Sequence, residues 1–211
     1  MDQRPQFYDP TGETLVGKNR LPHWDQRKAT YFITFRLADS VPTELLKNHS
    51  ENEVAWRMAH PEPWDESTTK DYHRLFSGQL ERWLDQGMGG CMLRDPAAAE
   101  IVKGALLYHD GIRHRLHAWV VMPNHVHTVV ETLEEVRLPD LLQSWKGFSA
   151  RRLNTMMGHS GSVWQRSYFD RVLRGWEHFG NCVRYIRRNP EKAGLKEGEY
   201  LRGESALAER F

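Results

Sequence analysis

A chain of 211 residues can bury a sizeable core without disulfides or structural metals, so its length excludes little. Its two cysteines, Cys91 and Cys182, make neither a Cys-x-x-Cys pair nor a disulfide framework, which excludes a zinc ribbon and suits a reducing cytosol. The start is polar, no apolar run approaches the roughly 20 residues of a membrane span, and the net charge is +1, so a soluble, cytoplasmic protein without a membrane partner is expected.

In chain order, Thr30 to Leu37 alternates Tyr31, Ile33, Phe35 and Leu37 on one side and reads as a first strand. A helix over Pro42 to His60 stops at the prolines 61 and 63, and a second over Thr69 to Gln86 ends at Gly87. Residues 40–94 therefore read as a helical insertion after the first strand. Asp95-Pro96 opens another helix with Ile101, Val102, Ala105 and Leu106 as its inner stripe.

The stretch Arg115 to Glu131 is two apolar runs around Pro123-Asn124, which predicts a β-hairpin. Leu138-Pro139-Asp140 starts a helix carrying Leu141, Leu142, Trp145 and Phe148, reaching Asn154. Val163 to Leu173 reads as a strand. The last helix runs from Trp176 to Asn189 on a stripe of Phe179, Val183 and Ile186 and is expected to end at Pro190. Residues 196–211 are expected to form a loosely held tail. The order predicts a single α+β domain over 1–211, a ferredoxin-like antiparallel sheet with helices on one face.

Charge is concentrated late in the chain. Between Gln143 and Pro190 stand Lys146, Arg151, Arg152, Arg166, Arg171, Arg174, Arg184, Arg187 and Arg188, against Asp170 and Glu177. Guanidinium forks match phosphate oxygens, and with Trp164 and other aromatics interleaved the segment suits a nucleic-acid surface; a solvated basic face is the plain alternative.

His125 and His127, two apart on a strand, point to one side and converge as metal ligands do, although two histidines near a turn are more often bystanders. Tyr185 lies off the apolar stripe of the last helix, and Asn189, four residues on, shares its face. A tyrosine packed beside solvated arginines is the plain alternative there. His114 and His117 should face opposite ways, and Trp56, Trp64 and Trp83 should be packing residues.

Six pieces of sequence, LPHW (Leu21 to Trp24), YFITFRLADS (Tyr31 to Ser40), AWVVMPNHVHTVV (Ala118 to Val130), SWKGFSARRLN (Ser144 to Asn154), VWQRSYFDRVLR (Val163 to Arg174) and YIRRNPEKAGL (Tyr185 to Leu195), together resemble the REP-associated tyrosine transposases of the HUH superfamily. The resemblance implies the HUH endonuclease fold and a single-strand DNA nuclease and transposase acting on hairpin-forming repeats. It implies Tyr185 as nucleophile, His125 and His127 as ligands of Mg²⁺ or Mn²⁺, and Asn189 as third ligand.

Single-stranded or hairpin DNA is the partner so implied, for a monomer or homodimer at the nucleoid. Residues 17–24 become a candidate DNA-reaching arm. Mn²⁺ suits imidazole better than Mg²⁺ does. A hairpin-binding regulator that does not cut is the alternative, and a hydrolase using water is a third. No P-loop and no acid cluster for a two-metal nuclease is visible in the sequence.

Overall fold

The computed structural model describes residues 4–18, 22–61, 63–133 and 136–211. A two-stranded antiparallel ribbon, β1 (Leu15–Lys18) and β2 (Pro22–Asp25), precedes β3 (Thr30–Arg36). Residues 19–21 of the candidate DNA-reaching arm, and all its side chains, lie outside the described residues.

After β3 come α1 (Thr43–Ala59), α2 (Glu66–Tyr72), a π-helical stretch at His73–Ser77, and α3 (Gly78–Asp85). The expected second helix of the insertion is thus one continuous run with a π-helical middle, and Gly87, at φ +65°, turns the chain out of it. Trp56 packs on Trp64, Tyr72 and Phe76, and Trp83 on His49, so the insertion's tryptophans are packing residues.

The core follows as α4 (Pro96–Leu107), β4 (His114–Val121), β5 (His125–Thr132), α5 (Leu138–Met157), β6 (Phe169–Val172), α6 (Trp176–Lys192) and β7 (Leu201–Glu204). Asp95 caps α4 by accepting from the Ala97 amide, with Pro96 at the first helical position. Five strands form one antiparallel sheet in the order β6-β3-β5-β4-β7. The unit β3-α4-β4-β5-α5-β6, with its last strand beside its first, is the expected ferredoxin-like arrangement.

Side chains on one sheet face, Tyr31, Ile33, Phe35, Val126 and Val130 among them, bury against α4 and α5. The expectation of helices on one face holds for these two alone. α6 lies on the opposite face, where Phe179, Val183 and Ile186 pack on Phe32, Ala118, Val120 and Val129. Full burial of such side chains contributes on the order of 1.5–3 kcal/mol each, and a sheet whose second face is also apolar cannot leave it open to water. The sheet face opposite α4 and α5 is therefore covered by α6.

Three further boundaries differ from expectation. The strand expected over Val163 to Leu173 shortens to β6, because Trp164 turns inward, packs 4.9 Å from Phe35 and donates its indole N–H to Ser149 Oγ. α6 runs through Pro190 to Lys192: near a helix end the missing N–H costs one bond, Pro190 is buried, and Gly194 at φ +69° closes the terminus.

The tail is the third difference. It is not loose, since β7 pairs with β4 and Phe211 stacks on Trp176 and meets Phe179 edge-on. Two glycines permit this. A Cβ on Gly203 would come within 2.7 Å of the Trp119 ring, and one on Gly180 within 2.7 Å of the Phe211 ring.

Among the described residues, no helix is long and apolar enough to cross a membrane.

Candidate active site

β5 places His125 and His127 on the α6 face of the sheet, each only 1% exposed. Their Nε2 atoms lie 3.0 Å apart. Across the strand pair, Thr34 stands directly opposite His127, and its Oγ1 is 2.7 Å from His127 Nδ1.

Asn124, in the hairpin turn, fixes the other histidine. Its Nδ2 donates to the backbone carbonyls of Leu84 (3.3 Å) and Met88 (3.1 Å), at and just beyond the end of α3. Its Oδ1 must then accept, so the 2.7 Å contact with His125 Nδ1 is an N–H donated by the imidazole. In the neutral ring the lone pair then lies on Nε2, the atom that faces His127 Nε2. Burial holds both rings neutral, pushing His125 down to about 3 and His127 well below its usual range; the Lys192 ammonium adds to both, and the neighbouring His125 to His127.

α6 brings Tyr185 against this pair. Its ring meets His127 edge-on at 5.2 Å and Phe32 edge-on at 5.6 Å. Asn189, one turn further on, is 1% exposed, and both polar atoms of its amide lack a hydrogen-bond partner. That amide still lies close enough to both side chains to raise the pKa of His125 and lower that of Tyr185 by hydrogen bonding, without reaching well-formed hydrogen-bond geometry. The structure thus brings together all four residues singled out from the sequence: Tyr185, His125, His127 and Asn189.

The donor set fits a divalent cation. Two nitrogens at about 2.1 Å from one ion and at right angles across it would be about 3.0 Å apart, which is the spacing found. Among the described residues no cluster of three His, Cys, Asp or Glu side chains surrounds such a position, so a third protein donor must be of another type. The amide of Asn189, on the same buried face, could be such a donor.

Three charged residues that sequence reasoning missed complete the site. Asp85 and Glu81, one turn apart on α3, act on the Tyr185 hydroxyl, whose pKa is raised by burial first and by these two carboxylates next. Burial likewise raises the Glu81 carboxyl. Lys192 pairs with Asp85 at 2.7 Å, and its Nζ stands 5.8 Å from the Tyr185 ring centroid. Lys192 follows Tyr185 by seven residues and so shares its face, a signal concealed by ending the helix at Pro190. Nothing local marks Glu81 and Asp85, because their approach to α6 is a long-range contact.

The expected DNA-binding residues do not form one surface. Arg151 and Arg152 are exposed on α5 and Arg188 on α6, on opposite sides of the sheet, with Arg166 and Arg174 exposed in the loops that flank β6. Arg171 donates to His73 and lies over Phe169, and Arg184 donates to Asn181 and the Phe211 carbonyl.

Three of these residues are taken up within the protein. Trp164 is 4% exposed and belongs to the core. Lys146 donates to the carbonyls of Gln165 and Arg166, and burial lowers its pKa to about 8. Arg187 is bound in a two-pronged pair with Glu204, at 3.0 and 2.6 Å. His114 and His117 do face opposite ways, His114 toward Trp145 and His117 toward Phe179.

The IS200-like transposase family model matches residues 98–189, a span that holds both histidines, Tyr185 and Asn189. An uncharacterized protein of Haemophilus influenzae strain Rd is 29% identical over 97 residues, covering 36% of this chain and 54% of that protein. The chain thus spans about half the length of that relative. A REP-associated tyrosine transposase bound to a REP hairpin superposes with a TM-score of 0.40 at 14% identity, over 90% of this chain and 76% of that one. A Deinococcus radiodurans R1 protein proposed to be a transposase gives 0.36 at 17% identity, over 76% and 89%.

Proposed function

We propose that this chain, an IS200-like transposase region across residues 98–189, is a single-strand DNA endonuclease that cuts and rejoins DNA at hairpin-forming repeats through Tyr185. The observation that carries the reading is the packing of Tyr185 edge-on against His127, 5.2 Å away, with His125 and Asn189 on the same buried face. A nucleophile and a metal-type donor set from two separate elements converge there.

In this reading the Tyr185 oxygen attacks the scissile phosphorus. The bond to the 3′ oxygen breaks, leaving a free 3′ hydroxyl and a phosphotyrosine on the 5′ side. Because the phosphodiester energy is kept in that link, attack by another 3′ hydroxyl rejoins strands without ATP. His125, His127 and Asn189 would hold Mg²⁺ or Mn²⁺, which when bound neutralises phosphate charge and makes the phosphorus more electrophilic.

The protein's own part is positional. Asn124 and Thr34 orient the two imidazoles, and α6 aligns the tyrosine with them. A phenol is a poor nucleophile at neutral pH, and beside Glu81 and Asp85 it is poorer still.

The test is incubation with labelled hairpin DNA bearing single-stranded flanks, with Mn²⁺ or EDTA, followed by denaturing electrophoresis. A metal-dependent covalent adduct that Tyr185→Phe abolishes is expected. A Tyr185→Phe protein that cleaves at the wild-type rate overturns the assignment. A free 5′ phosphate without adduct points to attack by water, and binding without nicking to a regulator.

A further inference from the structure

His125 and His127 are each 1% exposed and the Tyr185 hydroxyl is buried, so a phosphodiester cannot reach them while α3 is in place. Two polar contacts tie the end of α3 to the site, beside the burial of Leu84. Asn124 donates to its C-terminal carbonyls, and Lys192 of α6 binds Asp85 Oδ2 at 2.7 Å.

The second attachment is unfinished chemistry. Asp85 Oδ1 is buried with no hydrogen-bond partner, so half of this carboxylate has given up water for nothing. α1 buries none of its residues, whereas Tyr72, Phe76 and Leu84 further along the insertion are buried, and Gly87 and Gly89 turn the chain after α3 at φ +65° and +83°. An anion able to satisfy Lys192 better than Asp85 does would remove one of the contacts that hold α3 over the site.

Resting on the nuclease reading above, we propose that Lys192 is the phosphate-contacting residue of the site and that Asp85 is its internal stand-in. When α3 lifts, Lys192 exchanges the Asp85 carboxylate for a phosphate of the single strand beside Tyr185. One ion pair would then both hold the site shut without substrate and position the substrate when it arrives.

The experiment is a double-mutant cycle on DNA binding, in full-length protein carrying Tyr185→Phe so that no chemistry intervenes. The probe is labelled hairpin DNA with single-stranded flanks, read by fluorescence anisotropy across a salt series. Asp85→Asn should tighten binding about tenfold, as expected of one freed charge-assisted contact. Lys192→Met should weaken binding and reduce the salt slope by about 0.7, one single-strand phosphate contact. In Lys192→Met, Asp85→Asn should give no further gain.

Asp85→Glu and Lys192→Arg, which keep the charges, should stay near the parent, and Asp85→Ser serves if Asp85→Asn does not fold. Equal tightening in both lysine backgrounds, or none in either, overturns the exchange. Adduct assays on the same variants with Tyr185 restored separate the two readings. Adducts with additive binding effects sink this inference alone, whereas coupled binding with no adduct sinks the cutting reading alone. No binding by any variant sinks both.

Discussion

Asn124 and His125, neighbours in sequence, are joined side chain to side chain at 2.7 Å, and the amide end of Asn124 is held by α3. The insertion therefore sets which nitrogen of His125 faces the metal-type position. Asn124→Ala should lower Mn²⁺ affinity by about 10–100-fold, the usual cost of losing such an orienting partner, as read by calorimetry. Unchanged affinity would mean that the strand alone orients the ring.

Neutral buried histidines make stability depend on pH. The unfolded chain takes up a proton at His125 near pH 6.5, whereas the folded chain resists until about pH 3. The stabilisation is thus complete above pH 6.5 and declines as pH falls below it, by up to about 1.4 kcal/mol per pH unit for each such histidine. In EDTA, the urea midpoint of wild type should fall more steeply between pH 7 and 5 than that of His125→Gln. Parallel curves would refute the buried neutral state.

Arg187 and Arg188 are adjacent, and their roles divide. Arg187 is spent on Glu204, while Arg188 is exposed. Arg187→Ala should cost about 1 kcal/mol of stability or less, with the salt slope of DNA binding unchanged, since the pair is partly exposed. If Arg188 contacts the nucleic acid, Arg188→Ala should do the reverse, lowering the slope while melting stays the same. A changed slope in Arg187→Ala would return that residue to the DNA surface.

Gly203 lets β7 lie against the ring of Trp119. Gly203→Val should destabilise by about 1–3 kcal/mol through overpacking, visible as a lower melting temperature. A melting temperature equal to wild type would show that β7 is held only by its strand pairing.

The elements that repeat apolar residues locally were legible: β3, the hairpin, the stripes of α4, α5 and α6, and from them the ferredoxin-like order. His125 and His127 were legible as a pair because period-two geometry on a strand is a local property. So was the shared face of Tyr185 and Asn189 on a helix. The arginine density was legible too, but not its fate, because whether a guanidinium meets solvent or Glu204 depends on a strand seventeen residues away.

By itself, the sequence determined which side chains share a face within each element, since backbone periodicity alone decides that. Only the tertiary structure decided which faces meet. It set α6 on the second side of the sheet, carried that helix through Pro190 so that Lys192 stands over Tyr185, and brought Asp85 of the insertion to within 2.7 Å of that lysine. The physical reason is that burial of a second apolar sheet face and pairing of a half-buried charge are satisfied between distant segments, and neither leaves a periodic trace in the chain.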